Sequence, residues 1–180
     1  MKKLTSALLT ISLGALSHLP LAHAGSESGA YLGFGIGQSS VEVSELDQSF
    51  SADETGYKFI LGYNFGVIPL LDLGIEGAYV NFGKAEDGQF ENELTAWDGF
   101  GLVGLSFGPL GLFGKAGFAA WDNETSIGQI STSTSGTDPV YGIGARLQIA
   151  SVSARLEYEY YDFDSDVDAS MTSLSLLYTI

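Results

Sequence analysis

The sequence predicts an all-β protein, an eight-stranded antiparallel up-and-down transmembrane β-barrel. Three observations predict it. Eight separate stretches alternate apolar residues with small or polar ones at period two, as strands do when their two faces meet different surroundings. The connections between these stretches follow the order long, short, long, short, long, short, long. No uninterrupted apolar run reaches the roughly 18 residues that a spanning helix needs.

The barrel reading starts after residue 24. Lys2 and Lys3 form a positive n-region, Ala7 to Leu16 a short apolar h-region, and Ala22-His23-Ala24 a small-x-small cleavage site before Gly25. Residues 1–24 are therefore expected to be a cleaved signal peptide and residues 25–180 the barrel domain. Both histidines, His18 and His23, fall in the leader, and the chain has no cysteine. The mature segment then has no Ser-His or Cys-His pair, no imidazole or thiolate for zinc, and no disulfide. An enzyme is not expected, nor is a cofactor. Five basic residues remain against 22 acids, a formal charge of −17. Nucleic acid, which needs a basic surface, is excluded as a partner.

The strands are expected near residues 29–38, 54–65, 71–82, 94–107, 110–121, 139–149, 152–161 and 171–180. Most match the roughly 9 to 11 residues with which a tilted strand crosses a bilayer. A closed barrel then satisfies every backbone group in lipid. The short connections are Gly66 to Leu70, Gly108-Pro109 and Ala150-Ser151; the long ones are Ser39 to Asp53, Gly83 to Glu93, Asp122 to Asp138 and Asp162 to Ser170. Short periplasmic turns and longer external loops are the pattern of outer-membrane barrels, and an even strand number puts both termini in the periplasm. Most of the acids fall in the long connections and none in the short ones, which predicts an anionic outer rim.

Bulk decides which face meets lipid. Leu32, Phe34 and Ile36 alternate with Tyr31, Gly33, Gly35 and Gly37. Tyr57, Phe59, Leu61, Tyr63 and Phe65 alternate with Gly56, Lys58, Ile60, Gly62 and Asn64. In the last strand Leu174, Leu176, Tyr178 and Ile180 oppose Ser173, Ser175 and Thr179. A soluble barrel would put Lys, Glu and Thr on its polar face, whereas glycine suits the inside of an eight-stranded barrel, which is just wide enough for side chains. In the fourth strand Phe100 and Leu102 oppose Val103, Leu105 and Phe107, so a register offset by one is left open there.

Lys58, Lys115, Arg146 and Arg155 all fall on the inward set, as do Asp72, Glu76, Asp98, Glu157 and Glu159. A Lys or Arg facing lipid at mid-bilayer costs about 2 to 4 kcal/mol, so inward placement is required. These nine side chains are expected to form an ion-pair network that fills the lumen. The same groups lining a small selective pore is the alternative.

Three motifs resemble chemistry. Gly99-Phe100-Gly101-Leu102-Val103-Gly104 spells a dinucleotide fingerprint, but it lies inside an alternating stretch with no helix to follow. Asp162, Asp164, Asp166 and Asp168 are a weak calcium candidate that lacks the central glycine and distant Glu of an EF-hand. Asn123-Glu124-Thr125 is a sequon by spelling. Ser131 to Gly136 is expected to be a loop tip. Trp97 and Trp121, with Tyr57, Phe65, Phe82, Phe107, Tyr141 and Tyr178, are expected to form interfacial girdles.

Gly56-Tyr57-Lys58-Phe59-Ile60-Leu61-Gly62-Tyr63, Gly77-Ala78-Tyr79-Val80-Asn81-Phe82-Gly83, Leu156-Glu157-Tyr158-Glu159-Tyr160 and the terminal strand resemble the small eight-stranded outer-membrane proteins. That superfamily includes the OmpA transmembrane domain and the OmpX and Ail type surface proteins. The resemblance implies bacterial outer-membrane localisation, contact with outer-membrane lipid and lipopolysaccharide, and assembly by the barrel-assembly machinery through the C-terminal strand. Family members usually end in an aromatic residue; this chain keeps Tyr178 but ends in Ile180. The resemblance further implies a structural or adhesin-like surface role, with an extracellular partner at the long acidic loops. A narrow low-conductance porin and a soluble periplasmic ligand-binding barrel are the rival readings.

Overall fold

In the computed structural model, residues 28–45, 48–68, 70–87, 90–127, 130–163 and 167–180 are described. Eight strands follow in chain order: β1 Gly29–Glu45, β2 Gln48–Ile68, β3 Leu71–Asp87, β4 Phe90–Phe107, β5 Leu110–Ile127, β6 Ile130–Ile149, β7 Val152–Phe163 and β8 Val167–Thr179. Each pairs antiparallel with its neighbour, and β1 pairs with β8, so the sheet closes on itself. Closure leaves no unpaired edge, which lipid would not tolerate.

The short-turn ends of the strands lie within a few residues of the sequence expectation, while the other ends run further, by two residues in β7 and by nine in β6. Segments read as long loops are hairpin walls. Ser131 to Gly136, expected as a loop tip, lies in β6, with Ser131 opposite Ser126 and Gly136 opposite Trp121. Backbone ladders need no apolar side chain. Alternating apolarity therefore marks where strands meet lipid rather than where they end. The signal segment expected at residues 1–24 lies outside the described residues.

Side chains sort as the alternation requires. Leu32, Phe34, Ile36, Phe59, Leu61, Ile75, Leu112, Ile143, Leu156, Leu174 and Leu176 are exposed on the outer face. Tyr31, Lys58, Ile60, Glu76, Ala78, Asp98, Phe100, Lys115 and Glu157 are buried inside. Strand β4 shows no offset: its pairing with β5 is continuous from Phe90 to Phe107, placing Phe100 inside and Val103, Leu105 and Phe107 outside. Two girdle assignments are corrected. Phe82 is buried in the lumen, and Trp121 packs against the buried cluster rather than facing lipid. Trp97 does face outward and lies 5.0 Å from the Tyr79 ring.

The β3–β4 ladder shifts register between Asn81 and Lys84, the one irregularity in that pair. Gly83 takes φ 99° there, a value L side chains rarely adopt. Asn81 fixes the bulge from both sides: its carbonyl accepts from the Gly83 N–H at 2.9 Å, and its amide donates to Glu93 at 2.8 Å. That hydrogen bond and the Lys84 ammonium hold the Glu93 carboxyl below its ordinary range, in the hairpin beyond the apolar band.

A methyl group on Gly83 would meet Glu54 Cβ and the Thr55 carbonyl at 2.9 Å, whereas one on the outward Gly101 would meet nothing within 4 Å. Gly83→Ala should therefore lose at least about 1–2 kcal/mol, the cost of a left-handed L-residue. Gly101→Ala should stay within about 0.5 kcal/mol of the parent. Urea unfolding in micelles, followed by tryptophan fluorescence, checks both.

Candidate functional site

The lumen is layered. Toward the long hairpins, the apolar layer is built from inward positions of β3, β5, β6, β7 and β8. Phe82 lies 4.9 Å from Tyr161 in an edge-on arrangement, and Phe163 lies 5.3 Å from Tyr161 and 5.4 Å from Trp121. Met171, Val80, Val140, Ala119 and Ala169 belong to the same buried cluster. Trp121 packs its ring over Gly136, where a Cβ would approach it to 2.8 Å, and donates its indole N–H to Asp138 at 2.5 Å.

Beneath this layer lie the charges. Lys58 reaches from β2 to Glu157 at 2.6 Å and to Glu159 at 2.8 Å, both on β7. Lys115 on β5 meets Glu159 at 2.7 Å and Glu76 and Glu157 at 3.1 Å each. Arg155 completes the set with Glu76 at 2.6 Å. Each of these side chains is essentially sealed from solvent. A bare charge there would cost several kcal/mol, so sharing three cations among carboxylates is what makes the arrangement tenable.

The sheet makes room for the long side chains by placing glycine opposite them. Tyr31 lies across Gly62 and Phe113 across Gly144, each where a Cβ would collide, and Lys115 lies across Gly142, where a Cβ would be tight against its stem. Rings also receive cations: Lys115 Nζ sits 4.3 Å from the Phe100 centroid, and the Arg155 guanidinium 4.8 Å from Tyr31 and 5.1 Å from Phe113. Tyr31 donates its hydroxyl to Glu76 at 2.8 Å.

A second, half-buried group lies toward the short turns. Arg146 donates to Asp72 at 2.5 Å and to Ser106 at 2.8 Å, and the Ser106 hydroxyl donates to Asp72. Beside it is a cavity of about 20 Å³, bounded by Asn64, Asp72, Gly104 and Arg146, enough for one water.

Eight of the nine charged residues picked from the sequence are thus placed in two ion-paired groups. Asp98 is the exception: it is buried, and its contact is the Tyr161 hydroxyl, which donates at 3.0 Å. Of the calcium candidates, Asp164 and Asp166 lie outside the described residues. Asp162 and Asp168 sit directly opposite one another on β7 and β8. Gly99 to Gly104 lies within β4 and is followed by a turn and β5, so no helix N-terminus meets it.

Sequence reasoning placed Tyr31 on the inward face but passed over Phe82, Trp121, Tyr161 and Phe163 as lumen groups. Their signal was parity, since each shares the inward register of neighbouring charged, glycine or alanine positions.

Removing one member of the buried group strands the others. Lys115→Met should cost about 3–5 kcal/mol, whereas Lys84→Met, from a pair exposed by 53% and 36%, should cost no more than about 1 kcal/mol. Heat- and urea-dependent gel mobility of the refolded barrel separates the two.

Comparison with known proteins agrees with this architecture. Ail, the attachment invasion locus protein of Yersinia pestis, superposes with a TM-score of 0.67 at 19% identity, covering 86% of this chain and 99% of that one. Ail has also been seen in complex with the heparin analogue sucrose octasulfate. Neisserial surface protein A gives 0.64 at 14% identity, covering 85% and 98%. The outer membrane enzyme PagL gives 0.54 at 15% identity, covering 83% and 99%. These likenesses concern the fold. No curated protein matches the sequence. The family described as the outer membrane protein beta-barrel domain matches residues 6–179. With its closed barrel of eight strands, apolar outside and charged within, the chain belongs to that family and is a protein of the outer membrane.

Proposed function

We propose that this barrel is a closed scaffold that holds acidic hairpins at the cell surface for a structural or adhesin-like role, with both termini in the periplasm. The observation that carries the reading is the filled lumen. An aromatic layer lies over a buried ion-pair layer, and the buried cations available to line a pore are held by glutamates. Eight strands leave room for side chains and little else. Folding such a barrel places the long hairpins on one rim, so whatever the protein meets outside the cell it meets there.

The hairpin charge indicates what that partner is like. The hairpin walls carry Asp122, Glu124 and Asp162 exposed, and Lys84 is the basic residue among the segments 39–54, 83–93, 122–138 and 162–170. Like charges face one another across strands, Glu93 opposite Glu124 and Asp162 opposite Asp168. Such a rim repels polyanions, so a sulfated ligand of the kind seen with Ail does not suit it. A cationic protein surface, or an anionic one reached through divalent cations, does. The absence of His and Cys after residue 24 supports a non-enzymatic role.

Proteoliposomes carrying the barrel should adhere to polylysine-coated surfaces, lose adhesion as salt rises, and ignore heparin-coated ones. The triple variant Asp122→Asn, Glu124→Gln, Asp162→Asn should bind several-fold less. Preference for heparin, or no loss in the variant, contradicts the surface reading. In planar bilayers the protein should show no stable conductance steps. Steps abolished by changing Arg146 or Arg155 would favour the narrow-pore alternative instead.

A further inference from the structure

The buried charge layer is not balanced. Among the described residues the buried cations are Lys58, Lys115 and Arg155, and the buried carboxylates are Glu76, Asp98, Glu157 and Glu159. Glu76, Glu157 and Glu159 each contact at least one of these cations. Asp98, only 6% exposed, makes no ion pair among them. Its Oδ2 accepts from Tyr161, and its Oδ1 is buried without a hydrogen-bond partner.

The groups around Asp98 explain why nothing neutralises it. Across β3 and β5 its register partners are Ala78 and Ala119, which offer no polar side chain. From β7 it faces the carboxylate of Glu159 and the hydroxyl of Tyr161; from β5 and β2 it feels Lys115 and Lys58, both already held by glutamates. Above it sits the aromatic layer. An isolated ionised carboxylate in such surroundings neutralises rather than remains charged. A single donor for two oxygens leaves the ionised carboxylate under-solvated there.

We propose that Asp98 is a proton-binding site: the folded barrel carries a proton on the Asp98 carboxyl at neutral pH, and this proton brings the buried layer to zero net charge. Tyr161 couples the site to the aromatic layer, since the ring that stacks on Phe82 and Phe163 is the one whose hydroxyl touches Asp98. Releasing the proton leaves an unpaired anion beside Glu159 and under that layer, so alkaline conditions loosen the outer part of the lumen.

A folded barrel that holds this proton binds one more than the unfolded chain at neutral pH, so stability falls as pH rises. The unfolding equilibrium constant should grow by up to about tenfold per pH unit.

The test is urea unfolding of the full barrel in micelles from pH 5 to pH 9, for wild type, Asp98→Asn and Tyr161→Phe. Wild type should show the alkaline loss, and Asp98→Asn should lack that component. Tyr161→Phe should keep a loss removed by adding Asp98→Asn. Equal pH slopes in wild type and Asp98→Asn would overturn the proposal. Wild-type stability that follows sodium at constant ionic strength, and not pH, would overturn it in favour of a metal cation. If Asp98→Asn fails to fold, wild-type infrared spectra decide. A protonated-carboxyl carbonyl band at pH 7 that vanishes on alkalinisation supports the site, and its absence at pH 7 refutes it.

Discussion

The constraint on which the rest depends is that a bilayer core offers no hydrogen bonds. Every backbone N–H and C=O in the span must find a partner within the protein, and closing eight strands into a ring provides it. The same constraint acts on side chains. Outward positions must be apolar, so each ionised residue within the span is directed into a lumen too narrow to hydrate it. Lys58, Lys115 and Arg155 are consequently buried beside Glu76, Glu157 and Glu159 at salt-bridge distance. The lipid face, the closed sheet and the interior charge layer are three results of one solvent.

That layer is not a source of net stability in any simple sense. Buried ion pairs often do no better than well-packed apolar groups of the same size, although breaking one is severe. Their use here is specificity. Lys115 touches carboxylates on β3 and β7, and Lys58 on β2 reaches the same two β7 glutamates. A one-residue slip of any of these strands would turn its charged side chain toward lipid. The charges therefore pin the register of a sheet whose outer face, apolar all round, would pin it weakly.

How much of this was legible in the sequence follows from which signals are local. The period-two alternation marked the eight strands and located their short-turn ends, because a two-residue turn is written in Gly108-Pro109 and Ala150-Ser151. The hairpin extensions were hidden because polar Ser and Thr ladders pair as well as apolar ones. The inward charges were legible from parity, but their partners were not: Lys58 and Glu159 are 101 residues apart, and the contact depends on how a tilted, closed sheet brings β2 opposite β7. Phe82 and Trp121 were misplaced because position near a strand end was weighed above parity. Asp98 looked like the other inward acids, and its isolation emerges only when each cation's partners are known.

The central claim is that the lumen is filled and shut, which the absence of native cysteine makes easy to test. Ser173 and Ser175 face inward and are buried, while Ser131 lies exposed in a hairpin wall. Single Ser→Cys variants at these three positions can be exposed in the folded barrel to a small charged methanethiosulfonate reagent. The account predicts rapid modification at position 131 and almost none at 173 or 175 until the barrel is unfolded. Modification of 173 and 175 in the folded protein at rates close to that of 131 would mean a water-filled passage and would contradict it.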